Sequence, residues 1–329
     1  MKTIFIVLTR GFLVRNILRS GVLDALKKSG NKIVVFIMVH KIKELPEYLL
    51  EEFENENVVL RAINEPKRGR VYGKLYRIFC NRTAPLVYSA TTWFYMRVGN
   101  QKMIKRHKIV TYAEKYLYML LGQFHFLKTI VRCIDGKLFV ADGKQYAKFF
   151  DEFSPSVVFS SSCISKVDIA LMKEARSRGV KTVSMSKGWD HMAKRLLTFV
   201  PDTLVVQNNL IKEESIEFQD IKSEKIRVCG FPRFDWYKKP EILMSREEYF
   251  GKIGIDPSKR LIFFGSEGTW APSDHKLAEL LNKFIESGDL DNNIHILARP
   301  HFSDLRLNRY DKVKDLPHII VDKNMTRSE

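Results

Sequence analysis

Short, nearly continuous apolar segments recur along this chain and constrain its fold more than any other feature of the sequence. They alternate with stretches whose apolar residues recur at helical spacing, the first of which we predict to be one helix over 14–28. Apolar strands that alternate with helices are typical of a parallel sheet covered on both faces, so we predict an α/β fold. The predicted strands are 2–8 (KTIFIVL), 32–39 (KIVVFIMV), 57–61, 156–160 (SVVFS), 180–185, 203–207 (TLVVQ) and 225–229 (KIRVC).

A second, smaller α/β unit is predicted in the last part of the chain. We place an N-terminal domain at residues 1–240 and a C-terminal domain at 241–329. Because three strands bury little apolar surface, we expect either that the chain is a fragment or that this second domain is incomplete. Its predicted elements are strands over 260–265 (RLIFFG), 294–298 and 318–321 and a helix over 274–286.

Positive charge is concentrated in residues 66–150, between the third and fourth predicted strands. The chain has a formal net charge of +17, and this segment holds 17 Lys and Arg against three acidic residues, interleaved with aromatic residues. We predict that it is a mostly helical insertion. Three interpretations are open: it binds nucleic acid, it lies on an anionic membrane surface, or it is a solvated helical face whose aromatic residues belong to the core.

Cysteine spacing and hydropathy indicate the compartment. The four cysteines lie far apart without a CxxC pair, and no apolar stretch has the length of a membrane span or a signal peptide. We therefore expect a cytoplasmic protein, peripheral at the inner face of the cell membrane. The eight histidines show no metal-ligand spacing, so neither a metal site nor a cofactor is predicted.

The loops that follow the predicted strands are the candidate sites, because ligands of open parallel sheets bind at the carboxyl ends of the strands. The first loop lacks both the GxGxxG dinucleotide motif and a P-loop. Its Arg10 and Gly11 could meet an anionic group at a helix N-terminus, or Gly11 could simply permit a tight turn. The five loops are 9–11, 160–165, 186–191, 266–270 and 299–301.

The loop 186–191 concentrates a cation, an aromatic ring, a carboxylate and an imidazole. Asp190 or His191 could remove a proton from an acceptor hydroxyl, with Lys187 and Trp189 beside them. The structural alternative is that Asp190 caps a helix and that Trp189 packs between domains. Asp190, His191 and Lys187 are the candidate catalytic residues, and Trp189 joins Arg10 and Gly11 as the candidate acceptor-binding group.

Two loops of the second unit have the chemistry of phosphate binding. Arg299 offers a rigid guanidinium fork, and His301 can donate to a phosphate or sugar oxygen. The loop after 260–265 provides glycine and hydroxyl groups at a helix start, which suit an anion. The donor-binding residues predicted in that loop are Gly265, Ser266, Glu267, Gly268 and Thr269.

The segment 187–237 resembles a stretch of the GT-B-type glycosyltransferases of bacterial and archaeal surface-polysaccharide synthesis. Those proteins contain a W-D-N-x-x-x-K segment, then a P-D-x-x-x-V strand, then I-x-V-x-G-x-P-R-F-D. The turn 299–301 is similar to the R-x-H element of the related CDP-glycerol (polyol-phosphate) transferases. The matching residues are Trp189, Asp190 and Lys194, then Pro201, Asp202 and Val206, then Ile226, Val228, Gly230, Pro232, Arg233, Phe234 and Asp235.

The resemblance implies two facing Rossmann-like domains, with the acceptor on the first and a nucleotide-diphosphate donor on the second. It implies a metal-independent transfer of a sugar to a lipid-linked or cell-surface glycan, with no cofactor besides the nucleotide-sugar. It also places Gly230, Pro232, Arg233 and Asp235 near the interdomain crossover. His191 stands where the family has Asn, and Lys187 stands where the polyol-phosphate transferases have His, which leaves the catalytic base open.

Three alternatives remain beside the glycosyltransferase. The same scaffold could transfer a polyol phosphate from a CDP-alditol or epimerise a UDP-sugar, because fold does not settle the reaction. The basic segment could instead serve a nucleic-acid-binding protein, although no RNA- or DNA-binding signature accompanies it. An inactive binding protein is the fourth interpretation.

Overall fold

The computed structural model describes residues 1–39, 44–89, 92, 108–268, 271–301, 304 and 308–322. The chain divides into two compact units, Met1–Lys238 and Lys239–Glu329. Each unit contains its own parallel β-sheet with helices.

A sheet of seven parallel strands forms the centre of the first unit. The strands are β1 (Thr3–Leu8), β2 (Lys32–Met38), β3 (Val58–Ile63), β4 (Val157–Ser160), β5 (Lys181–Met185), β6 (Thr203–Val206) and β7 (Ile226–Val228). The sequence prediction is confirmed for all seven. Their order in the sheet is β3-β2-β1-β4-β5-β6-β7, so the direction of strand addition reverses between β1 and β4. A crevice for ligands is expected at the carboxyl ends of these two strands.

Eleven α-helices accompany this sheet in the described part of the first unit. The helix predicted over 14–28 is wrong, because the chain forms two helices there. Ser20 separates them: its Oγ accepts a hydrogen bond from Val22 N at 3.3 Å and so caps the second helix. The helices are α1 (Gly11–Leu18), α2 (Gly21–Lys28), α3 (Glu47–Phe53), α4 (Arg70–Thr83), α5 (Lys108–Leu121), α6 (His125–Leu138), α7 (Ala141–Lys144), α8 (Ala147–Phe153), α9 (Lys166–Ser177), α10 (His191–Lys194) and α11 (Asn209–Glu217).

Both faces of the sheet are buried at β1 and β2, which explains why these two strands are almost wholly apolar. Ile6 and Leu8 of β1 belong to a core cluster with residues of α1 and α2. Phe5 and Val7 of the same strand belong to a second cluster with residues of α8 and α9. Successive side chains of a strand point to opposite faces of the sheet. Because both faces of β1 are buried, its sequence does not alternate between apolar and polar residues.

The described residues of the basic segment are mostly helical and lie between β3 and β4, as the sequence predicted. The insertion contains α4 to α8 and joins the sheet through charged and close contacts. Asp135 of α6 pairs with Lys173 of α9, whereas the pair between Asp142 and Arg68 lies within the insertion itself. A Cβ at Gly143 of α7 would lie 2.8 Å from Ala170 O of α9, so only glycine allows this approach. In the described part of the chain, no helix is both long and apolar enough to cross a bilayer.

The second unit contains a sheet of three parallel strands in the order β10-β9-β8. The strands are β8 (Arg260–Gly265), β9 (Ile294–Arg299) and β10 (Ile319–Val321), and the helices are α12 (Arg246–Ile253) and α13 (His275–Glu286). Ile296, Ala298 and Ile319 of the strands and Ala278 and Ile285 of α13 form its apolar core. The three strands and the helix predicted for this unit are confirmed.

Candidate functional site

A buried polar cluster lies at the carboxyl end of β4, next to β1 at the point where the strand order reverses. Ser160, the last residue of β4, places its Oγ 2.7 Å from Asp168 Oδ1 and 2.9 Å from Ser162 O. Ser161 Oγ donates to Val7 O of β1 at 2.6 Å. These hydroxyl groups fix the loop between β4 and α9, and that of Ser160 also holds the carboxyl group of Asp168.

That carboxyl group, Asp168 in the first turn of α9, has no exposed surface. Burial raises its pKa to about 7, although the Ser160, Ser165 and Thr9 side chains and the Lys187 charge act in the opposite direction. Near neutral pH, Asp168 can therefore hold or release a proton. Because Asp168 is enclosed by protein, it cannot contact a substrate. We assign it a positioning role for Lys187, whose charge acts on it.

The protonation of Asp168 makes stability depend on pH in a direction that can be tested. Between pH 3.8 and about 7 the native carboxyl holds a proton that the unfolded one has lost, so the contribution of Asp168 falls as pH rises through this range. The Asp168→Asn variant does not titrate. We expect the unfolding free energy of the variant minus that of the wild type to increase from pH 4 to 7 and to level off above pH 7. Urea unfolding at several pH values measures this difference.

The control is Glu213→Gln, which changes an exposed carboxylate of α11 in the same chemical way. Its difference from wild type should stay nearly constant with pH. A pH-independent difference for Asp168→Asn would contradict the buried, protonated state.

The loops after β1 and β5 carry two cations, Arg10 and Lys187, and the charge of Arg10 acts on Lys187. Lys187 is half-buried, and its pKa is lowered first by burial and then by the positive charge of Arg10. Asp168 and Cys163 act on it in the opposite direction. The structure therefore places two of the sequence-predicted residues, Arg10 and Lys187, in one electrostatic environment that favours an anionic ligand.

Asp190 and His191 follow Lys187 at the start of α10. Asp190 occupies the capping position but makes no capping hydrogen bond; its Oδ2 lies 3.2 Å from Lys194 Nζ. His191 is buried, and its Nε2 lies 3.9 Å from Asp190 Oδ1. A Cβ at Gly188 would lie 3.1 Å from Asp190 Oδ1 and 3.3 Å from His191 Nε2, so the loop backbone closely approaches both side chains.

The two side chains differ in their suitability as a base. Burial lowers the pKa of His191 to about 4, against the opposing effect of Asp190, so the imidazole is neutral and weakly basic near pH 7. A general base works best with a pKa close to the operating pH and with access to the substrate. Asp190 is the better candidate base by access, because its side chain is 12% exposed and that of His191 6%, while His191 suits a hydrogen-bonding role.

Gly11 and Trp189 complete the predicted acceptor group. Gly11 is the first residue of α1, and a Cβ there would meet no atom within 4 Å. The turn itself therefore does not require a glycine. Trp189 is 67% exposed, so its ring is available to a ligand on this surface.

Gly230, Pro232, Arg233 and Asp235, predicted for the interdomain crossover, follow β7 at the end of the first unit. Gly230 has a φ of +81°, a conformation that favours glycine, and the 3₁₀ helix Pro232–Lys238 follows it and packs against α1 and α2. The Arg233 guanidinium lies 5.1 Å from the centre of the Phe231 ring. Asp235 lies in the same 3₁₀ helix, and the interdomain role of these residues stays a prediction.

The loop after β8 in the second unit is held by its own acidic neighbours. Glu267 N donates to Asp274 Oδ2 at 3.0 Å, and Gly268 N donates to Ser266 Oγ at 3.0 Å. Ser266 Oγ also bonds to Asp304. An anion at this loop would have to displace these bonds, so the backbone amides of Glu267 and Gly268 are poor candidates for phosphate binding. Gly265 ends β8, and Thr269 lies outside the described residues.

Arg299 ends β9 and already has a partner. Its Nε donates to Asp322 Oδ2 at 2.7 Å, and its guanidinium lies 5.1 Å from the centre of the Phe263 ring. A donor phosphate would have to share this cation with Asp322. His301 follows on the same loop, where its carbonyl accepts a hydrogen bond from Asp304 N at 2.8 Å.

Sequence reasoning missed two residues that the structure places beside the candidate site. Asp168 is buried and the Lys187 charge acts on it; the run of three serines at 160–162 before a helix could have indicated a buried acid nearby. Arg195 directly follows α10, and its charge lowers the pKa of His191. Among the described residues, no cluster of three or more His, Cys, Asp or Glu side chains has the arrangement of a metal site.

No protein-family model and no curated protein matches this chain. Among solved structures, it is similar to a glycosyltransferase from Rickettsia africae ESF-5, with a TM-score of 0.53 and 14% sequence identity, covering 98% of this chain and 68% of that one. The UDP co-structure of S. aureus MnaA has the same TM-score and coverage at 10% identity.

A putative UDP-N-acetylglucosamine 2-epimerase from Listeria monocytogenes is also similar, with a TM-score of 0.53 and 10% identity over 97% of this chain and 68% of that one. At such identities the similarity concerns the fold alone. The chain has the α/β fold of GT-B-type enzymes, with a seven-stranded parallel sheet in one unit and a second parallel sheet in the other.

Proposed function

We propose that this protein is a nucleotide-sugar-dependent glycosyltransferase that acts on a lipid-linked or cell-surface glycan. The observation that carries the proposal is the cluster of Arg10, Lys187, Asp190 and His191 at the switch point of the seven-stranded sheet. In a fold of this type, that edge is where ligands are expected. The two solved structures whose names include UDP or a UDP-sugar add support for a nucleotide-sugar donor.

The proposed roles follow from charge and access. Asp190 takes the proton of the acceptor hydroxyl, and the positive charges of Lys187 and Arg10 attract an anionic ligand to this edge of the sheet. Trp189 offers an exposed ring on which a sugar can stack. The donor is assigned to the second unit, where Arg299 and His301 would contact its diphosphate. The proposal requires no metal ion and no further cofactor.

A UDP-sugar 2-epimerase is the second candidate, and the likeness to MnaA and to the Listeria protein favours it. Transfer of a polyol phosphate is the third, supported by the turn Arg299-Pro300-His301 alone. The reactions differ in their products: transfer of a sugar releases a nucleoside diphosphate, polyol-phosphate transfer releases CMP, and epimerisation keeps the nucleotide-sugar intact.

A thermal-shift screen against UDP, GDP, CDP, TDP and CMP, without metal and then with magnesium, tests the donor assignment. A ligand that binds only the native state stabilises it by about 2.7 kcal/mol at a hundredfold excess over Kd. We expect one nucleoside diphosphate to raise the melting temperature. A shift with CMP but no diphosphate would favour the polyol-phosphate reaction, and no shift with any nucleotide would contradict the proposed function.

The helical insertion is proposed to hold the enzyme on an anionic membrane surface beside its acceptor. Exposed apolar side chains alternate there with basic ones, and each Lys or Arg near an anionic leaflet contributes about 1 kcal/mol. This combination suits a lipid surface better than nucleic acid. The exposed apolar residues are Val71, Leu75 and Ile78 of α4, Tyr116, Leu117 and Leu120 of α5, and Phe126 and Ile130 of α6.

Membrane association predicts binding to vesicles of phosphatidylcholine with phosphatidylglycerol that weakens as salt increases. Leu75→Glu should weaken it several-fold, because it removes apolar contact and adds repulsion. Leu277→Glu of α13 is the matched control, since Leu277 and Leu75 are 54% and 56% exposed. Vesicle sedimentation measures both. Equal losses in the two variants, or no binding by the wild type, would contradict the membrane assignment.

A further inference from the structure

A cavity of about 430 Å³ lies between α4, the loop after β4 and the segment that follows α10. It lies within the first unit and does not involve the donor loops of the second. Its volume is in the range of small-molecule sites. None of the candidate residues predicted from the sequence lines it.

The charges that line the cavity are mostly positive. The cations are Arg68, Arg77, Lys166 and Arg195, and the carboxylate is Glu65. Arg68 is neutralised by Asp142, and Lys166 lies 3.0 Å from Glu65. Arg77 and Arg195 form no ion pair and no side-chain hydrogen bond with any residue that the structure describes. These two guanidinium groups therefore give the cavity its excess positive charge.

The other polar groups of the lining add no negative charge. Burial raises the pKa of Cys163 to about 12 and also raises those of Cys80 and Tyr76, so all three side chains are neutral at physiological pH. Asn81 provides an uncharged amide that can donate. Paired guanidinium groups in a partly enclosed space bind phosphate oxygens through short, charge-assisted hydrogen bonds.

The cavity adjoins the candidate reaction site through Arg195. This residue directly follows α10, and its charge acts on His191. Cys163, which also lines the cavity, belongs to the loop between β4 and α9 that the Ser160 and Ser161 hydroxyl groups fix. A ligand whose anionic group occupies the cavity would therefore extend towards Asp190 and Lys187.

We propose that the cavity binds the phosphate or diphosphate group of the sugar acceptor, so that the acceptor is a phosphorylated molecule and not a neutral glycan. The ligand's role as acceptor depends on the proposed function, whereas its binding through Arg77 and Arg195 does not. The same phosphate chemistry could come from a lipid diphosphate or from a soluble sugar phosphate.

Calorimetric titration with three probes distinguishes these sources: farnesyl diphosphate, glucose 1-phosphate and inorganic pyrophosphate. We expect at least one to bind the wild type, and Arg77→Gln and Arg195→Gln each to weaken it about tenfold or more, because each removes a charged hydrogen-bond partner. Arg70→Gln is the control, since Arg70 lies on the same helix but does not line the cavity. Tightest binding of farnesyl diphosphate would identify a lipid source, and that of glucose 1-phosphate a soluble one.

Absence of binding by all three probes, or equal affinity in the wild type and in both cavity variants, would overturn the proposal. The nucleotide from the thermal-shift screen should bind the variants as it binds the wild type. If Arg77→Gln and Arg195→Gln abolish nucleotide binding, the cavity is part of the donor site and the acceptor assignment is wrong. If a probe binds through the arginines but no nucleotide binds, the phosphate site stands and the proposed function fails.

Discussion

Replacement of Lys173 by methionine is expected to lower the free energy of unfolding by about 3–5 kcal/mol, a large part of the stability of a typical domain. Lys173 Nζ lies 2.7 Å from Asp135 Oδ2, and the two side chains are 5% and 0% exposed. Its Nζ also donates to Asp135 O at 3.2 Å. The variant leaves the Asp135 carboxylate buried without a counter-charge, and the insertion loses a contact between α6 and α9. Urea unfolding at neutral pH measures the change.

The double variant Lys173→Met with Asp135→Leu removes both charges of the pair. Its free energy of unfolding shows how much of the loss in Lys173→Met comes from the unpaired Asp135 carboxylate. Because no charge then remains buried, we expect it to recover most of the stability. Lys283→Met is the matched surface control: its partner Glu279 lies at 2.8 Å on α13, but both side chains are largely exposed, so little change is expected. A small effect of Lys173→Met alone would show that the pair does not hold the insertion to the sheet.

Replacement of Asp190 by alanine is expected to lower turnover about 100-fold or more, because general base catalysis contributes roughly that much. The protein should stay folded, and its melting temperature is measured beside turnover because the Asp190 side chain is only 12% exposed and pairs with Lys194. Asp190→Asn should be as impaired as Asp190→Ala, because it keeps the shape but cannot accept the proton in the same way. Initial rates at saturating donor measure the effect.

Glu213→Ala is the control for the Asp190 variants, since it removes an exposed carboxylate from α11, which packs against α10. It should retain wild-type turnover. Wild-type rates in Asp190→Ala would show that another group takes the proton.

His301→Ala, in the second unit, is also expected to lower turnover sharply without unfolding the protein.

The fold was largely predictable from the sequence because burial on both faces makes the central strands apolar runs. β1 shows the reason clearly: Phe5 and Val7 enter one core cluster while Ile6 and Leu8 enter the other. The break between α1 and α2 was missed because the apolar spacing continues across it. Ser20 has a capping role that a helical pattern does not reveal.

The candidate site was predictable in part, for a topological reason. Parallel strands place their carboxyl ends at one edge, so the loops after β1 and β5, which carry Arg10 and Lys187, were both predicted as candidate sites. Asp168 and the cavity beside Arg77 and Arg195 were not predictable, because they depend on how α9 and the inserted α4 pack against the sheet. The loop after β8 has a phosphate-binding composition, but only the structure reveals that Asp274 and Asp304 already occupy its donors.

Product analysis tests the central claim of a sugar transferase most directly. The protein is incubated with the nucleotide-sugar that the thermal-shift screen identifies, with and without the host's membrane fraction, and the products are separated by mass spectrometry. We predict that nucleoside diphosphate appears only with the membrane fraction, together with a glycosylated product, and that Asp190→Ala forms neither. A nucleotide-sugar of unchanged mass and altered configuration, formed without any acceptor, would contradict the transferase and identify an epimerase.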